Sequence, residues 1–191
     1  MIPQPERKFI SHKDYLEMEE QAEYKSEYYH GEIFAMTGAS HNHNLITGNV
    51  FASLRYLLRE TDCFVYTGDM KIQIDPARHY AYPDVSVVCG EIEFAENRND
   101  IIANPVVIIE VLSESTRDYD RGSKFKAYRN IGTLRDYILI DQYACHIEHF
   151  FKNKSGIRES EEFDRLSDVF ALSSVDATLS LVAVYYRVRG I

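Results

Sequence analysis

The stretch Pro105-Val106-Val107-Ile108-Ile109-Glu110-Val111-Leu112 decides the fold of this chain. The run is short, rich in β-branched residues and bounded by breakers, which indicates a strand. Its apolar residues do not alternate with polar ones, so we expect the strand to be covered on both faces, in the centre of a sheet. Glu110 is the exception. A carboxylate is rarely buried unless it is paired or bound to a metal, so Glu110 marks a candidate site.

A second strand is predicted at Tyr82-Pro83-Asp84-Val85-Ser86-Val87-Val88. Asp84 and Glu110 are far apart in the sequence, so only pairing within a sheet brings them together. Two carboxylates, completed by a backbone carbonyl and waters, suit Mg²⁺ or Mn²⁺. Such a metal polarises a phosphoryl oxygen and promotes the ionisation of a bound water. The alternative role for Asp84 is to cap a loop after Pro83.

A helix is predicted after the Glu110 strand, from a cap at Ser115 and Thr116 to Gly132. Lys124 lies early in this helix, where it would orient the attacking water and neutralise charge on a phosphate. Lys126 points about 200° around the helix, to a different face. The alternative is purely structural: Lys124 would be the ion-pair partner of a buried Glu110.

The rest of the chain predicts a mixed α/β order in one domain spanning residues 1–191. A capping box formed by Ser11 and Asp14 predicts a helix to Glu20, and helical spacing predicts an amphipathic helix over 43–59. A helix between the Glu110 strand and the Leu139 strand predicts a parallel crossover. Further strands are predicted over 31–36, 63–66, 70–74, 134–140, 144–152 and within 157–172, and a closing helix over 179–188.

The composition indicates the class of protein and its compartment. The chain has 191 residues, and 45% of them are hydrophobic, as in a globular fold. Cys63, Cys89 and Cys145 show no close pairing and are odd in number, so we expect reduced thiols. No signal peptide or membrane-spanning stretch is visible. These features predict a cytoplasmic protein that does not enter a membrane.

The charge distribution is uneven. The net charge is −9, whereas proteins that bind nucleic acids usually carry a basic surface. Residues 117–135 nevertheless hold six Lys or Arg against two Asp. Local charge, rather than the total, faces a polyanion. Taken alone, this basic segment is best explained as the solvated face of a helix.

Several blocks together resemble one known family, over nearly the whole chain from Tyr15 onward. They are His30-Gly31-Glu32-Ile33, Ser40-His41-Asn42-His43-Asn44, Tyr82-Pro83-Asp84-Val85, Glu110-Val111-Leu112-Ser113 with Ser115-Thr116, Asp120-Arg121-Gly122-Ser123-Lys124-Phe125-Lys126-Ala127-Tyr128-Arg129, and Leu134-Arg135-Asp136-Tyr137. The chain resembles the Uma-type putative restriction endonuclease family, within the PD-(D/E)xK nuclease superfamily.

The resemblance implies a restriction-endonuclease-like core, with a central mixed sheet flanked by helices and a metal site at one edge. It implies that Asp84 and Glu110 are ligands of Mg²⁺ or Mn²⁺ and that DNA is the substrate. The superfamily's usual lysine lies two residues after the acid, and Leu112 stands at that position. Members of the resembling family look as though this lysine has moved to the next helix. Lys124 is the residue of this chain that matches it.

Two further candidates belong to the resembling blocks. Glu32 is similar to the family's early acidic residue, which adds a ligand or orients a water; its alternative is an exposed strand carboxylate next to Gly31. His43 starts the long helix, from which it could reach the cleft; its alternative is local capping. The pair His41 and His43 is too isolated for a zinc site.

Two function classes follow from these residues. The first is a metal-dependent endonuclease that hydrolyses phosphodiester bonds in DNA. The second is a catalytically silent binding or regulatory module with the nuclease fold, which Leu112 and the net charge favour. The sequence has no phosphate-binding glycine-rich loop, dinucleotide fingerprint or nucleophile elbow. Because two strands of a duplex need two sites, analogy with restriction enzymes predicts a homodimer.

Overall fold

A computed structural model describes residues 9–36 and 38–191 as an α/β fold with thirteen strands, one long helix and several shorter ones. The strands are β1 (Ser26–Tyr29), β2 (Glu32–Ala35), β3 (Cys63–Thr67), β4 (Lys71–Asp75), β5 (His79–Ala81), β6 (Val85–Cys89), β7 (Ile101–Ile102), β8 (Val107–Leu112), β9 (Asp136–Asp141), β10 (Ile147–Lys152), β11 (Arg158–Phe163), β12 (Val169–Leu172) and β13 (Ala177–Ser180). The helices are α1 (His12–Gln21), α2 (His41–Leu57), α3 (Arg117–Tyr119), α4 (Phe125–Tyr128) and α5 (Leu181–Val184), and a π-helical segment, Asp120–Lys124, joins α3 to α4.

The central sheet is mixed, as predicted, with the strand order β11-β10-β9-β8-β6-β3. Strands β8 and β9 run parallel, which confirms the predicted crossover between the Glu110 and Leu139 strands. The other neighbours are antiparallel. All six residues of β8 are buried, which agrees with the absence of alternation in its sequence. Glu110 therefore lies in the middle of a covered sheet.

Alternate residues of β8 face two different cores. On one side, Val107, Ile109 and Val111 pack with α2, the β12–β13 hairpin and α5. The long helix α2 covers this side because its apolar residues recur at helical spacing. Its buried positions are Ile46, Val50 and Leu54.

The other side of β8 was only partly predicted. Ile108 and Leu112 pack with the helical segment from α3 to α4 and with a second sheet, in the order β2-β1-β5-β4-β7. Helix α1 covers the outer face of that second sheet through a cluster that includes Tyr15, Tyr28 and Tyr80. The sheet thus forms an additional layer where the sequence indicated only helices.

The N-terminal helix forms for the predicted reason. Ser11 is the N-cap of α1, and its hydroxyl accepts a hydrogen bond from the Asp14 backbone N–H. At the other end of the chain the predicted helix is wrong in extent. Residues 177–180 pair as β13, and α5 is a single turn that begins after Ser180. In the described part of the chain, no helix is long and apolar enough to cross a membrane.

The expectation of three reduced cysteines is wrong for two of them. Cys63 on β3 and Cys89 on β6 stand opposite each other in the antiparallel ladder and form a disulfide. Cys145 is free. The pairing depends on the register of two strands that are distant in sequence, and the spacing of the cysteines does not reveal that register.

Candidate active site

Asp84 and Glu110 face each other across two neighbouring strands. Val85 pairs with Ile109 in the antiparallel ladder of β6 and β8, so Asp84, one residue before β6, stands opposite Glu110. Residues opposite each other in an antiparallel pair share one face. The Asp84 Oδ2 atom accepts a hydrogen bond from the Val111 backbone N–H at 2.7 Å. The sheet therefore brings the two predicted carboxylates together and fixes the position of Asp84.

Lys124 reaches Glu110 from the helical segment above the sheet. Its Nζ atom lies 2.9 Å from Glu110 Oε1, and both side chains are 5% exposed. Leu112, two residues after Glu110 on β8, is buried in the apolar core. The ammonium group of Lys124 thus comes to the acid from a different element.

Lys124 has three carboxyl groups around it, all buried. Its Nζ atom lies 2.9 Å from Glu27 Oε1 on β1 and 3.5 Å from Asp120 Oδ1, in addition to the Glu110 contact. Burial alone would lower the pKa of Lys124, but the charges of Glu110 and Glu27 raise it well above its usual range. Lys124 is therefore held in the charged form.

The carboxyl groups respond to burial in the opposite sense from Lys124. Burial raises the pKa of Glu110 well above its usual range, while the neighbouring Lys124 charge acts to lower it. Burial likewise raises the pKa of Asp120, again against Lys124. One amine for three buried carboxyl groups leaves the cluster short of positive charge. A cation is the ligand that such a surplus of carboxylates favours.

The π-helical segment determines how Lys124 enters the cluster. Asp120 and Lys124 are its first and last residues. Both side chains are buried, and the Tyr137 hydroxyl donates to the Asp120 carbonyl oxygen at 3.1 Å. A single π turn inside a helix is frequent at functional sites because it re-aims side chains. The periodicity of the sequence predicted an ordinary helix here.

His43 contacts Asp84 from the first turn of α2. Its Nε2 atom lies 3.3 Å from Asp84 Oδ2, and the two side chains are mostly buried. Burial would lower the pKa of His43, but the hydrogen bond and charge of Asp84 outweigh burial and raise it above its ordinary value. Ser40 caps α2 through the His43 backbone N–H, so the cap and the contact with Asp84 involve different atoms of His43.

Three aromatic side chains enclose the cluster. The Tyr128 hydroxyl donates to Glu110 Oε1 at 3.3 Å. The Tyr119 ring centre lies 5.7 Å from Lys124 Nζ. His79 Nε2 lies 3.1 Å from the Tyr119 hydroxyl, and burial lowers the pKa of His79 to about 4. His79 is therefore neutral at pH 7 and holds Tyr119 over the buried charges.

Glu27, rather than Glu32, is the early acidic residue that contacts Lys124. Glu32 lies on β2, the edge strand of the second sheet, opposite Tyr29 of β1. Because Tyr29 and Glu27 are two residues apart on β1, Glu32 shares their sheet face, one strand farther out. The sequence interpretation missed Glu27 and Asp120. Asp120 had a detectable signal, since it stands four residues before Lys124 on the predicted helix.

The carboxylates of Asp84 and Glu110 fit a hard divalent cation. Within residues 9–36 and 38–191, the hydrogen bonds and ion pairs of these two carboxylates involve Asp84 Oδ2 and Glu110 Oε1, and no hydrogen bond reaches Asp84 Oδ1 or Glu110 Oε2. One oxygen of each side chain is thus available as a ligand. No group of three His, Cys, Asp or Glu is already arranged to hold a metal in the described chain. Two protein ligands suffice for Mg²⁺, which keeps several waters.

The structure is thus a mixed α/β fold in which Asp84 and Glu110 face each other on two neighbouring strands. The model of a family described as "Uma2: Putative restriction endonuclease" matches residues 12–183, and the chain belongs to this family. Two relatives come from Synechocystis sp.: the uncharacterized protein sll1609, 39% identical over 145 residues (76% of this chain, 82% of the relative), and the uncharacterized protein slr1290, 35% identical over 179 residues (92% and 91%).

A solved structure has the same fold. It is described as a "putative nuclease belonging to DUF820" from Anabaena variabilis, and it superposes with a TM-score of 0.75. The match covers 92% of this chain and 97% of that protein at 20% sequence identity. The likeness confirms the predicted fold class.

Proposed function

We propose that the protein is a metal-dependent DNA endonuclease whose site consists of Asp84, Glu110 and Lys124. The observation that carries this proposal is the placement of Asp84 opposite Glu110, with the Lys124 ammonium 2.9 Å from the Glu110 carboxylate. Membership of a family described as "Putative restriction endonuclease" supports DNA as the substrate. The proposal includes Mg²⁺ or Mn²⁺ as the cofactor.

Asp84 and Glu110 would hold the cation with their available oxygens. When bound, Mg²⁺ or Mn²⁺ would polarise a phosphoryl oxygen of the DNA and lower the pKa of a bound water. The protein positions its ligands before the cation arrives: the Val111 N–H and His43 orient Asp84, and Tyr128 and Lys124 orient Glu110. Such preorganisation is the main contribution that fixed dipoles and charges make to catalysis.

Any effect of Lys124 on the reacting phosphate would come from its position among three carboxyl groups. Its Nζ atom donates to Glu27 and forms ion pairs with Glu110 and Asp120. We propose that Lys124 keeps these acids close together and neutralises charge that develops at the phosphate. Glu27 and Asp120 are then positioning residues, because they act through Lys124. His43 and Glu32 stay secondary candidates. His43 would act through its contact with Asp84, and Glu32 lies on the edge strand of the second sheet, on the face that carries Glu27.

The test is plasmid cleavage by purified protein with Mn²⁺ or Mg²⁺. Asp84→Asn and Glu110→Gln should each lower the rate by about 10²-fold or more, and EDTA should stop the reaction. Lys124→Ala should slow cleavage strongly while metal binding persists. Asp176→Asn and Glu162→Gln, at exposed positions of the β12–β13 turn and of β11, are the matched controls and should cleave at the wild-type rate. Cleavage that survives Asp84→Asn would place the activity elsewhere.

A catalytically silent binding module is the second candidate. It is favoured by Leu112 at the usual lysine position, by the net charge of −9 and by the full engagement of Lys124 with carboxylates. Calorimetric titration with Mg²⁺ and Mn²⁺ separates the two candidates. Binding that Asp84→Asn abolishes supports the endonuclease, whereas no binding of either ion supports the silent module.

A further inference from the structure

The two edges of the central sheet differ sharply in charge. The edge strand β11 has the sequence Arg-Glu-Ser-Glu-Glu-Phe, and like charges on such an edge repel a second copy. The opposite edge strand β3, Cys-Phe-Val-Tyr-Thr, contains no charged residue. Its Phe64 side chain is 45% exposed. An uncharged, apolar edge strand is a template for pairing with another strand.

The open backbone groups of β3 follow from its ladder with β6. The Gly90 N–H donates to the Asp62 carbonyl, and Phe64 and Tyr66 continue this hydrogen-bonded series. The backbone groups of the alternate residues Cys63, Val65 and Thr67 therefore point away from β6. Two of these six groups already have partners: the Cys63 N–H bonds the Thr61 hydroxyl, and the Thr67 carbonyl accepts from Met70.

We propose that β3 pairs antiparallel with β3 of a second copy, about a two-fold axis at Val65. In this register Val65 stands opposite Val65 of the second copy, and Cys63 stands opposite Thr67. Among residues 9–36 and 38–191, no hydrogen-bond partner is found for the four remaining groups, which are the Val65 N–H and carbonyl, the Cys63 carbonyl and the Thr67 N–H. The pairing forms hydrogen bonds between these four groups of one copy and the same four groups of the other. The Cys63 N–H and the Thr67 carbonyl already have partners within the chain, so the ladder ends there. The inference is independent of the proposed endonuclease activity.

The side chains of β3 complement each other in the same register. Phe64 stands opposite Tyr66 of the second copy, in the pair type that brings side chains closest. Aromatic pairs across strands stabilise sheets.

The test measures the molar mass of the full chain by light scattering after gel filtration. The wild type should be a dimer, and Phe64→Glu should be a monomer with an unchanged far-ultraviolet spectrum. Val169→Glu is the matched control, since Val169 is an exposed strand residue on β12, and it should stay dimeric. A monomeric wild type, a dimeric Phe64→Glu or a monomeric Val169→Glu would each overturn the proposal.

A charge-swap pair tests the register itself. Tyr66→Lys alone should weaken the dimer, because it places a lysine against Phe64. A mixture of Phe64→Glu and Tyr66→Lys should recover a one-to-one heterodimer, since position 64 of one copy faces position 66 of the other. The mixture staying monomeric, while each variant remains folded, would rule out the two-fold axis at Val65.

Discussion

Lys124 and Glu110 form an ion pair, with 2.9 Å between Nζ and Oε1, and both side chains are buried. Taking two charges out of water costs several kcal/mol, so such a pair persists where further polar contacts surround it. Here Glu27 and Asp120 contact the lysine, and Tyr128 contacts Glu110. The structural and catalytic interpretations of Lys124 are therefore not alternatives, because the same contact serves both.

Lys124→Met should destabilise the protein more than the loss of any one carboxyl group. The variant leaves three carboxyl groups buried without their cation, so we expect the free energy of unfolding to fall by about 3–5 kcal/mol at neutral pH. Urea denaturation measures this change. The loss should shrink as the pH falls, because protonated carboxyl groups need no counter-charge.

The sign of the Lys124 contribution is set by its raised pKa. A group whose pKa is higher in the folded state contributes stability that is complete below its ordinary pKa of about 10.4 and disappears at higher pH. Lys126→Ala is the matched control, because Lys126 is exposed two residues away, and it should change stability by no more than about 0.5 kcal/mol. Equal losses in both variants would contradict a special role for Lys124.

Local sequence patterns were sufficient for much of the central sheet. The uninterrupted apolar run around Glu110 predicted a strand buried on both faces, and helical spacing predicted α2. The parallel pairing of β8 with β9 followed from the helix predicted between them, since a strand, helix and strand in this order fit a crossover connection. The same patterns also placed Asp84 at the beginning of a strand. In each case the signal is contained within a few consecutive residues.

The second sheet, Glu27 and the disulfide depended on contacts between distant segments. Strand β1 pairs with β5 across about fifty residues, and both strands are too short for a period-2 pattern to identify them. Glu27 reaches Lys124 only because that sheet packs over the central one. Cys63 meets Cys89 only in the register of β3 and β6. The sequence carries no local mark of any of these contacts.

Mg²⁺ or Mn²⁺ should raise the melting temperature of the wild type by binding the folded state. Asp84→Asn and Glu110→Gln should each abolish the shift, and Glu162→Gln should retain it. Burial raises the pKa of Glu110, and a metal binds only the deprotonated carboxylate. The shift should therefore grow as the pH rises from 5 to 8. A full metal-induced shift in Glu110→Gln would show that Glu110 is not a ligand.

His79→Gln should make the protein more resistant to mild acid. The folded-state pKa of His79 is about 4, against 6.5 for an ordinary histidine, and burial is the main cause. A depressed pKa contributes stability that is complete above pH 6.5 and is lost as the pH falls towards 4, by about 3 kcal/mol in all. Unfolding free energies measured across this range should decline less steeply in the variant. His41→Gln, at an exposed position, should follow the wild-type curve.

His43→Gln should remove a pH-dependent part of the stability that has the opposite sign. The hydrogen bond and charge of Asp84 outweigh burial and raise the pKa of His43. The protonated imidazole therefore stabilises the folded state fully below pH 6.5, and this contribution is lost as the pH rises through the raised folded-state pKa. Subtracting the unfolding free energies of the variant from those of the wild type, point by point between pH 5 and 9, isolates this contribution.

In an Asp84→Asn background the same subtraction should give a much smaller pH dependence, because the partner charge is gone. An equal dependence in both backgrounds would mean that Asp84 is not the group that shifts His43.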